Sequence, residues 1–245
     1  MNTVLTQELT RFNGLIKVIR NSLEDLKKAI KGEVLLSADL EAALNSLQNG
    51  QVPAMWLKKS FPSLKPLGGY IKDLMARLNW FENWKNTNLP NVLWITRFFF
   101  THGFLTAAKQ NYARKMGIAI DLLGYDFEVL PAGDDNPPQP EDGMNVTGMF
   151  MEGCKWDPVN MILAESDPKI LYVNCPMFWF KPIKTVDIPQ VVRYSAPIYK
   201  TSIRKGVLAT TGHSTNFVLL LRFPTEEHPD HWTMRGVAVL CSLDD

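Results

Sequence analysis

Serine, histidine and neighbouring polar residues stand together at one place where their spacing resembles a catalytic motif. Gly212-His213-Ser214-Thr215-Asn216 begins like the G-x-S-x-G turn of serine hydrolases but lacks the second glycine. The same residue types are typical of tight turns, because glycine tolerates positive φ and the others bond to nearby backbone. We interpret this segment as a structural turn between two strands. The alternative is a hydrolase built on His213, Ser214 and a carboxylate.

Other patterns for catalysis or metal binding are absent from the sequence. It contains neither a G-x-x-x-x-G-K-[ST] loop, which would hold nucleotide phosphates, nor a G-x-G-x-x-G fingerprint. Cys154, Cys175 and Cys241 form no C-x-x-C pair, which disfavours zinc and predicts buried, reduced thiols. Pro229 imposes a turn on Glu226–His231, so its two histidines are not expected to converge on a metal. The sequence predicts no catalytic residue, cofactor or metal site in this protein.

The composition is that of a folded domain, with 46% hydrophobic and 21% charged residues. A net charge of +1 disfavours nucleic-acid binding, which requires a clustered basic surface. No run of about 18 uncharged apolar residues is present, so no membrane span is expected. The amphipathic N-terminus does not resemble a secretory signal. We therefore expect a monomeric protein in the cytosolic compartment.

Helical periodicity governs the first half of the sequence. A single apolar seam, stepping alternately by four and three positions, contains Leu5, Leu9, Phe12, Ile16, Ile19, Leu23, Leu26 and Ile30. Thr3 is its predicted N-cap and Gly32 its predicted end. One helix cannot bury such a seam alone, so we expect it to dock on its own domain, on a neighbour or in a coiled coil. Further helices are predicted after Ser37, after Pro66 and over about Thr96–Lys115.

Beyond Gly117 the apolar period changes to two, which predicts strands. The six predicted strands are Asp121–Leu130, Asn145–Met151, Ile170–Phe180, Pro197–Thr201, Phe217–Phe223 and Arg235–Leu243. A short helical turn is predicted at Val159–Ala164. Strands that follow one another without long helices favour an antiparallel sheet or a small barrel. The prediction is an α+β fold, with a helical subdomain of about four helices at residues 1–117 and an antiparallel β-barrel subdomain at 118–245.

Four aromatic residues of the helical half are candidate anchors for an interface, because large aromatic side chains often dominate binding energy. They are Trp56, Phe61, Trp80 and Trp84. The seam residues Leu5 to Leu23 are candidates for the same interface. Packing in the domain's own core is the alternative for these aromatics.

Six long blocks of the sequence, in the same order along the chain, match one known family. The C-terminal blocks are Tyr199–Val218, which contains T-T-G-H-S-T-N-F, and Trp232–Asp245, which reads W-T-M-R-G-V-A-V-L-C-S-L-D-D. The blocks nearer the N-terminus are Met55–Leu78, Phe98–Lys115, Ile120–Val129 and Pro140–Asp157. These blocks resemble the C-terminal end of dynein heavy chains, the axonemal branch in particular, and several long blocks in one order are far more specific than a short motif. The details resemble single-headed inner-arm heavy chains most.

The resemblance implies a non-catalytic regulatory and structural domain. In that family the domain packs on the AAA+ ring of the same heavy chain, next to its last and first modules, as a helical subdomain followed by a small barrel. ATP and magnesium would bind in upstream AAA+ modules, and microtubules would be contacted only through the parent protein. The resemblance further implies an axoneme of a cilium or flagellum. The alternative function is a stand-alone β-barrel module that binds a small ligand or a peptide.

Overall fold

The computed structural model describes residues 2–131, 133–188, 193–204, 206 and 215–244. These residues form an α+β fold with six α-helices and eleven strands. Their contacts divide the protein into two compact units, a helical unit at Asn2–Asn88 and a mixed unit at Leu89–Leu243. The predicted division at residue 117 instead marks the end of helical periodicity, and it stays a proposal about subdomains. No helix among the described residues is both long enough and apolar enough for a bilayer crossing.

The helical unit contains four helices. They are α1 (Asn2–Ile30), α2 (Ala38–Gln48), α3 (Ala54–Leu57) and α4 (Leu67–Asn86). The predicted signals at two of the starts are confirmed, since Ser37 caps α2 through its side chain and Pro66 directly precedes α4. Thr3 lies inside α1, so its prediction as N-cap was wrong. The short helix α3 was not predicted, because four residues carry too little periodicity.

Aromatic packing holds the helical unit together. Helix α1 contacts α2, α3 and α4. Its Phe12 ring lies 5.4 Å from the ring of Phe81 and 6.3 Å from that of Phe61. Phe61 stacks on Tyr70 at 5.4 Å, and the guanidinium of Arg77 lies 3.9 Å from the Phe61 ring centre. Since these rings come from separate helices and a loop, the core joins segments far apart in sequence.

The mixed unit contains the remaining two helices and all the strands. Its helices are α5 (Thr101–Met116) and α6 (Pro229–Met234). Its strands are β1 (Val92–Trp94), β2 (Leu123–Val129), β3 (Met144–Thr147), β4 (Phe150–Glu152), β5 (Cys154–Asp157), β6 (Ile162–Glu165), β7 (Tyr172–Asn174), β8 (Phe178–Lys184), β9 (Arg193–Tyr199), β10 (Phe217–Pro224) and β11 (Ala238–Leu240). Helix α5 begins five residues later than predicted, after a 3₁₀ turn at Ile95–Arg97. Its predicted end is confirmed, because Gly117 adopts a left-handed φ of 65°.

The strands form three sheets in place of the predicted six-stranded antiparallel barrel. The sheet orders are β1-β3-β8-β2, β10-β9-β11-β4-β7 and β5-β6. Two pairs are parallel, β1 with β3 and β11 with β9, so both larger sheets are mixed. None of the sheets that the described residues form closes into a barrel. The prediction of an α+β fold is confirmed. The more detailed prediction, about four helices followed by an antiparallel barrel or sheet of about six strands, is not confirmed, because the sheets of the described residues are mixed and contain eleven strands.

Two predicted strands were wrong because each is divided between the two larger sheets. Asn145–Met151 breaks at Gly148, whose φ is 90°, so β3 joins the four-stranded sheet and β4 the five-stranded sheet. Ile170–Phe180 likewise breaks around Pro176, between β7 and β8. A glycine or proline inside a strand pattern commonly marks such a break. The backbone thus crosses between sheets twice where the pattern predicts continuous strands.

The predicted helical turn at Val159–Ala164 was also wrong, since β5 and β6 pair there as an antiparallel hairpin. The carboxylate of Asp157 accepts hydrogen bonds from the backbone N–H of Val159 at 2.8 Å and of Asn160 at 3.2 Å. Met161 completes the turn with a φ of 55°. An Asx turn of this kind replaces helical bonds with side-chain bonds, which the apolar pattern does not reveal.

Candidate docking surface

The face of α1 that is buried is not the face that carries the predicted apolar seam. The buried residues of α1 are Val4, Glu8, Phe12, Leu15, Ser22 and Leu26. At 100° per residue, the centre of this set lies roughly 60° around the helix from the centre of the predicted seam. The predicted helix is therefore confirmed, but the buried face is rotated from the predicted one.

Val4 and Leu15, which are buried but lie outside the predicted seam, account for the rotation, and two polar residues also lie within the buried face of α1. The Glu8 carboxylate accepts a hydrogen bond from Nη1 of Arg11 at 3.2 Å. The hydroxyl of Ser22 accepts a hydrogen bond from Nε1 of Trp56 at 2.9 Å and donates to the carbonyl of Ile19. Because these polar groups are satisfied, burying them is tolerated. Apolar periodicity alone excludes both residues from the core.

The rotation leaves one edge of the seam accessible, and we name it the α1 edge. It consists of Leu5, Leu9, Ile16, Leu23 and Ile30. The first three are partly exposed, and the side chains of Leu23 and Ile30 are 43% and 71% exposed. Ile19 is also partly exposed, whereas Phe12 is fully buried. A row of accessible apolar side chains along seven turns of helix is a candidate contact surface.

A second apolar feature follows the C-terminal end of α1. Val34, Leu35 and Leu36 form a run in the connection to α2, and Leu35 is 97% exposed. We name this run the α1–α2 loop patch. The sequence pattern did not predict it, although three apolar residues just before the N-cap Ser37 have no helical period that would bury them. Lys27, Lys28 and Lys31 lie beside the patch in sequence and are exposed, and Glu33, which is adjacent to Val34, pairs with Lys31 at 3.9 Å, so the border is charged with both signs.

The four aromatic residues predicted as interface anchors mostly lie in the core of the helical unit. Trp56 is 2% exposed, Phe61 and Trp84 are also buried, and Trp80 is half-buried. Trp80 contacts Trp84 edge-on at 5.5 Å. A buried ring offers a partner little area, which disfavours Trp56, Phe61 and Trp84 as direct anchors. They instead pack in the core of the helical unit, to which the α1 edge belongs.

The predicted turn at residues 212–216 is described only in part. Gly212, His213 and Ser214 lie outside the described residues, so the hydrolase alternative is untested. Thr215 offers its carbonyl to the ammonium of Lys200 at 3.0 Å. The Asn216 side-chain amide donates to the Thr201 carbonyl at 3.3 Å and to the Thr201 hydroxyl at 3.1 Å.

Burial keeps the titratable groups of the mixed unit's core in their neutral forms. It raises the pKa of the Cys154 thiol to about 12 and the pKa of the Cys175 thiol well above its usual value. Burial likewise raises the pKa of Tyr194 to about 12. A thiol is nucleophilic and metal-binding only when ionised, so these cysteines are unreactive near neutral pH. Among the described residues, no three His, Cys, Asp or Glu side chains lie together as a possible metal site.

The helical unit thus offers an apolar contact surface, and the relatives of this protein are axonemal dynein heavy chains. The sequence is 53% identical over 245 residues to mouse dynein axonemal heavy chain 12 and 53% identical to mouse dynein axonemal heavy chain 3. It is 45% identical to human dynein axonemal heavy chain 1. All 245 residues are covered in each case, but they span only 8%, 6% and 6% of those relatives. The family profile for the C-terminal domain of dynein heavy chains matches residues 1–241, and this protein belongs to that family.

Proposed function

We propose that this protein is the non-catalytic C-terminal domain of an axonemal dynein heavy chain and docks on the AAA+ ring of that same heavy chain. Family membership supports the place of the domain, and the accessible α1 edge is the observation that supports docking. The parent protein would bind ATP and magnesium in upstream AAA+ modules and move toward microtubule minus ends in cilia and flagella. The assignment to the inner-arm class stays a prediction.

The α1 edge and the α1–α2 loop patch are the proposed contact. Together they present apolar side chains from Leu5 to Leu36, with exposed lysines and Glu33 at the C-terminal end. The matching ring surface would be apolar with carboxylates opposite the lysines, since complementary charge sets the orientation of such contacts. Burying an exposed leucine or isoleucine contributes roughly 1–2 kcal/mol, so a few such residues are enough to hold a tethered domain.

Substitution is a sharper test than deletion. Removing residues 2–31 would also remove Phe12 and Leu15 from the core, so loss of docking would be inseparable from unfolding. The triple variant Leu23→Gln, Ile30→Gln and Leu35→Gln changes only exposed side chains. Surface substitutions usually change stability by less than about 0.5 kcal/mol each, so the domain should still fold.

The measurement is hydrogen exchange of residues 5–36 in the complete heavy chain and in the 245-residue protein alone. Docking predicts slower exchange in the complete heavy chain, and the triple variant should lose that protection. The matched control replaces Val159, Val186 and Met234 by Gln, because these apolar residues of the mixed unit are 86–88% exposed. Equal protection in the triple variant and the wild type would refute docking through this surface.

The regulatory part of the proposal needs its own experiment. Single-molecule run length, stall force and ATPase are compared for the complete motor with and without this domain. A tuning role predicts a changed run length or force with basal ATPase retained. No change in any of the three would refute regulation and leave docking or assembly as the role.

A further inference from the structure

The mixed unit contains a cavity of about 560 Å³ that neither the fold nor the docking surface uses. It lies where the end of β2, the end of β3, the β5–β6 hairpin and the β7–β8 connection meet. Its apolar wall is formed mainly by Val129, Leu130, Pro131, Pro158, Met161 and Met177. A volume of this size falls in the range of pockets that hold a drug-sized ligand or one or two peptide side chains.

The wall of this cavity includes a tryptophan whose indole N–H has no acceptor among the described residues. Trp156 lines the cavity, and its Nε1 atom is closed off from solvent with no hydrogen-bond acceptor among the described residues. A buried donor left unpaired is destabilised relative to a paired one. Trp232, which is buried in the same unit whereas Trp156 is only partly buried, differs, since its Nε1 donates to the Thr225 hydroxyl at 2.8 Å. A ligand oxygen that reached Trp156 would remove that penalty.

The charged residues that line the cavity are all acidic. Asp134 and Asp135 are the charged residues among its lining, and both are exposed. The carboxylate of Asp134 accepts from the backbone N–H of Asn136 at 3.0 Å, which holds the loop beside the cavity. An apolar cavity with two carboxylates at its rim favours a ligand with an apolar body and a positive charge next to it.

We propose that this cavity docks a peptide segment of another protein that carries a large apolar side chain beside Lys or Arg. The apolar side chain enters the cavity, where the flexible Met161 adapts to its shape. The basic side chain pairs with Asp134 and Asp135, and a peptide carbonyl accepts from Nε1 of Trp156 after a small rotation of the indole. This site is separate from the α1 edge and does not depend on docking to a ring.

The test selects random eight-residue peptides displayed on phage against the 245-residue protein and then measures the enriched peptides by calorimetry. We expect enriched peptides with Leu, Ile, Phe or Met next to Lys or Arg. The variant Trp156→Phe should weaken their binding roughly tenfold through loss of the donor. The double variant Asp134→Asn, Asp135→Asn should also weaken peptide binding relative to the wild type and remove most of the salt dependence of that binding.

Unfolding of the variants separates binding from folding. Trp156→Phe removes an unpaired donor, so its midpoint in urea should fall less than that of Trp232→Phe, which loses a formed hydrogen bond. Enriched peptides that bind both pocket variants as tightly as the wild type would overturn the proposal. So would the absence of an apolar-basic pattern, or binding of hydrophobic small amines at these residues with no peptide enriched.

Discussion

The hydrogen bond between Trp56 and Ser22 decides whether Trp56 is a core residue or an interface anchor. The indole N–H of Trp56 donates to the Ser22 hydroxyl at 2.9 Å, and both residues are buried. Ser22→Ala removes the acceptor and leaves the N–H unpaired, which costs about 1–3 kcal/mol. Trp56→Phe removes the donor and part of the ring, and it costs a similar amount through the cavity that remains.

The two substitutions should not add. Once Trp56 is Phe, replacing Ser22 by Ala leaves no unpaired donor behind, so the second loss is smaller than in the wild type. We expect the double variant to be less destabilised than the sum of the single variants by about 1–2 kcal/mol, which is typical of residues in contact. The reduced second loss identifies the hydrogen bond itself as the source of the effect.

Urea unfolding followed by far-ultraviolet circular dichroism measures each free energy. Ser46→Ala is the matched control, because Ser46 also sits in a helix and donates to a backbone carbonyl, that of Ala42, but lies at the surface. It should change stability by less than about 0.5 kcal/mol. If Ser22→Ala unfolds at the wild-type urea concentration while Trp56→Ala weakens docking without loss of stability, the core assignment is refuted and Trp56 is an anchor.

Two further predictions concern the mixed unit. Gly143→Ala should cost several kcal/mol in urea unfolding, because φ is 82° and the added Cβ would lie 1.9 Å from the Phe180 carbonyl oxygen. Gly117→Ala, with a φ of 65° and no atom within 4 Å of its Cβ, should lose only about 1–2 kcal/mol, and equal losses would show that the clash is relieved. Burial and the nearby charge of Lys200 lower the pKa of His102, so protonation favours unfolding, and stability should fall as pH drops below about 6.5. His102→Gln should lose less stability than the wild type between about pH 7.5 and 5.5, and an identical pH dependence would contradict this assignment.

Sequence patterns predicted which segments fold as helices better than which of their faces are buried. The seam from Leu5 to Ile30 predicted α1 because apolar spacing of three and four is specific to helices. It could not predict that Glu8 and Ser22 are buried in place of Leu23 and Ile30. That choice depends on partners such as Trp56, which lies 34 residues from Ser22. A pattern within one helix contains no information about such a partner.

The sheets were harder to predict because strand pairing is non-local. Gly148 and Pro176 interrupt two predicted strands, and the pieces on either side pair in different sheets. The sequence signals a break at such residues but not the sheet to which each piece belongs. The parallel pairing of β1 with β3 joins Val92 to Asn145 across more than fifty residues, with α5 and β2 between them. Alternation alone therefore predicted strands in sequence order and an antiparallel sheet or small barrel, which the mixed sheets do not confirm.

The sequence predicted that α1 carries the proposed docking surface but not which apolar side chains are accessible there. One helix cannot bury the apolar seam of α1 alone, which predicted that α1 docks on its own domain, on a neighbour or in a coiled coil. The α1–α2 loop patch was not predicted because helical patterns consist of periodic apolar residues, and Leu35 is apolar without a period. The cavity beside Trp156 was not predictable, since its walls come from four connections that only the tertiary fold brings together.

Helix α1 separates stability from docking along a single element, and this separation is the strongest check on the proposed function. Phe12 is fully buried among aromatic rings, so Phe12→Ala should cost about 3–5 kcal/mol and weaken docking only by unfolding the unit. Leu23 lies three turns further along on the accessible edge, so Leu23→Gln should leave unfolding nearly unchanged and still reduce protection of α1 in the complete heavy chain. If both variants lost docking only in proportion to lost stability, the α1 edge would be an ordinary solvent-facing surface.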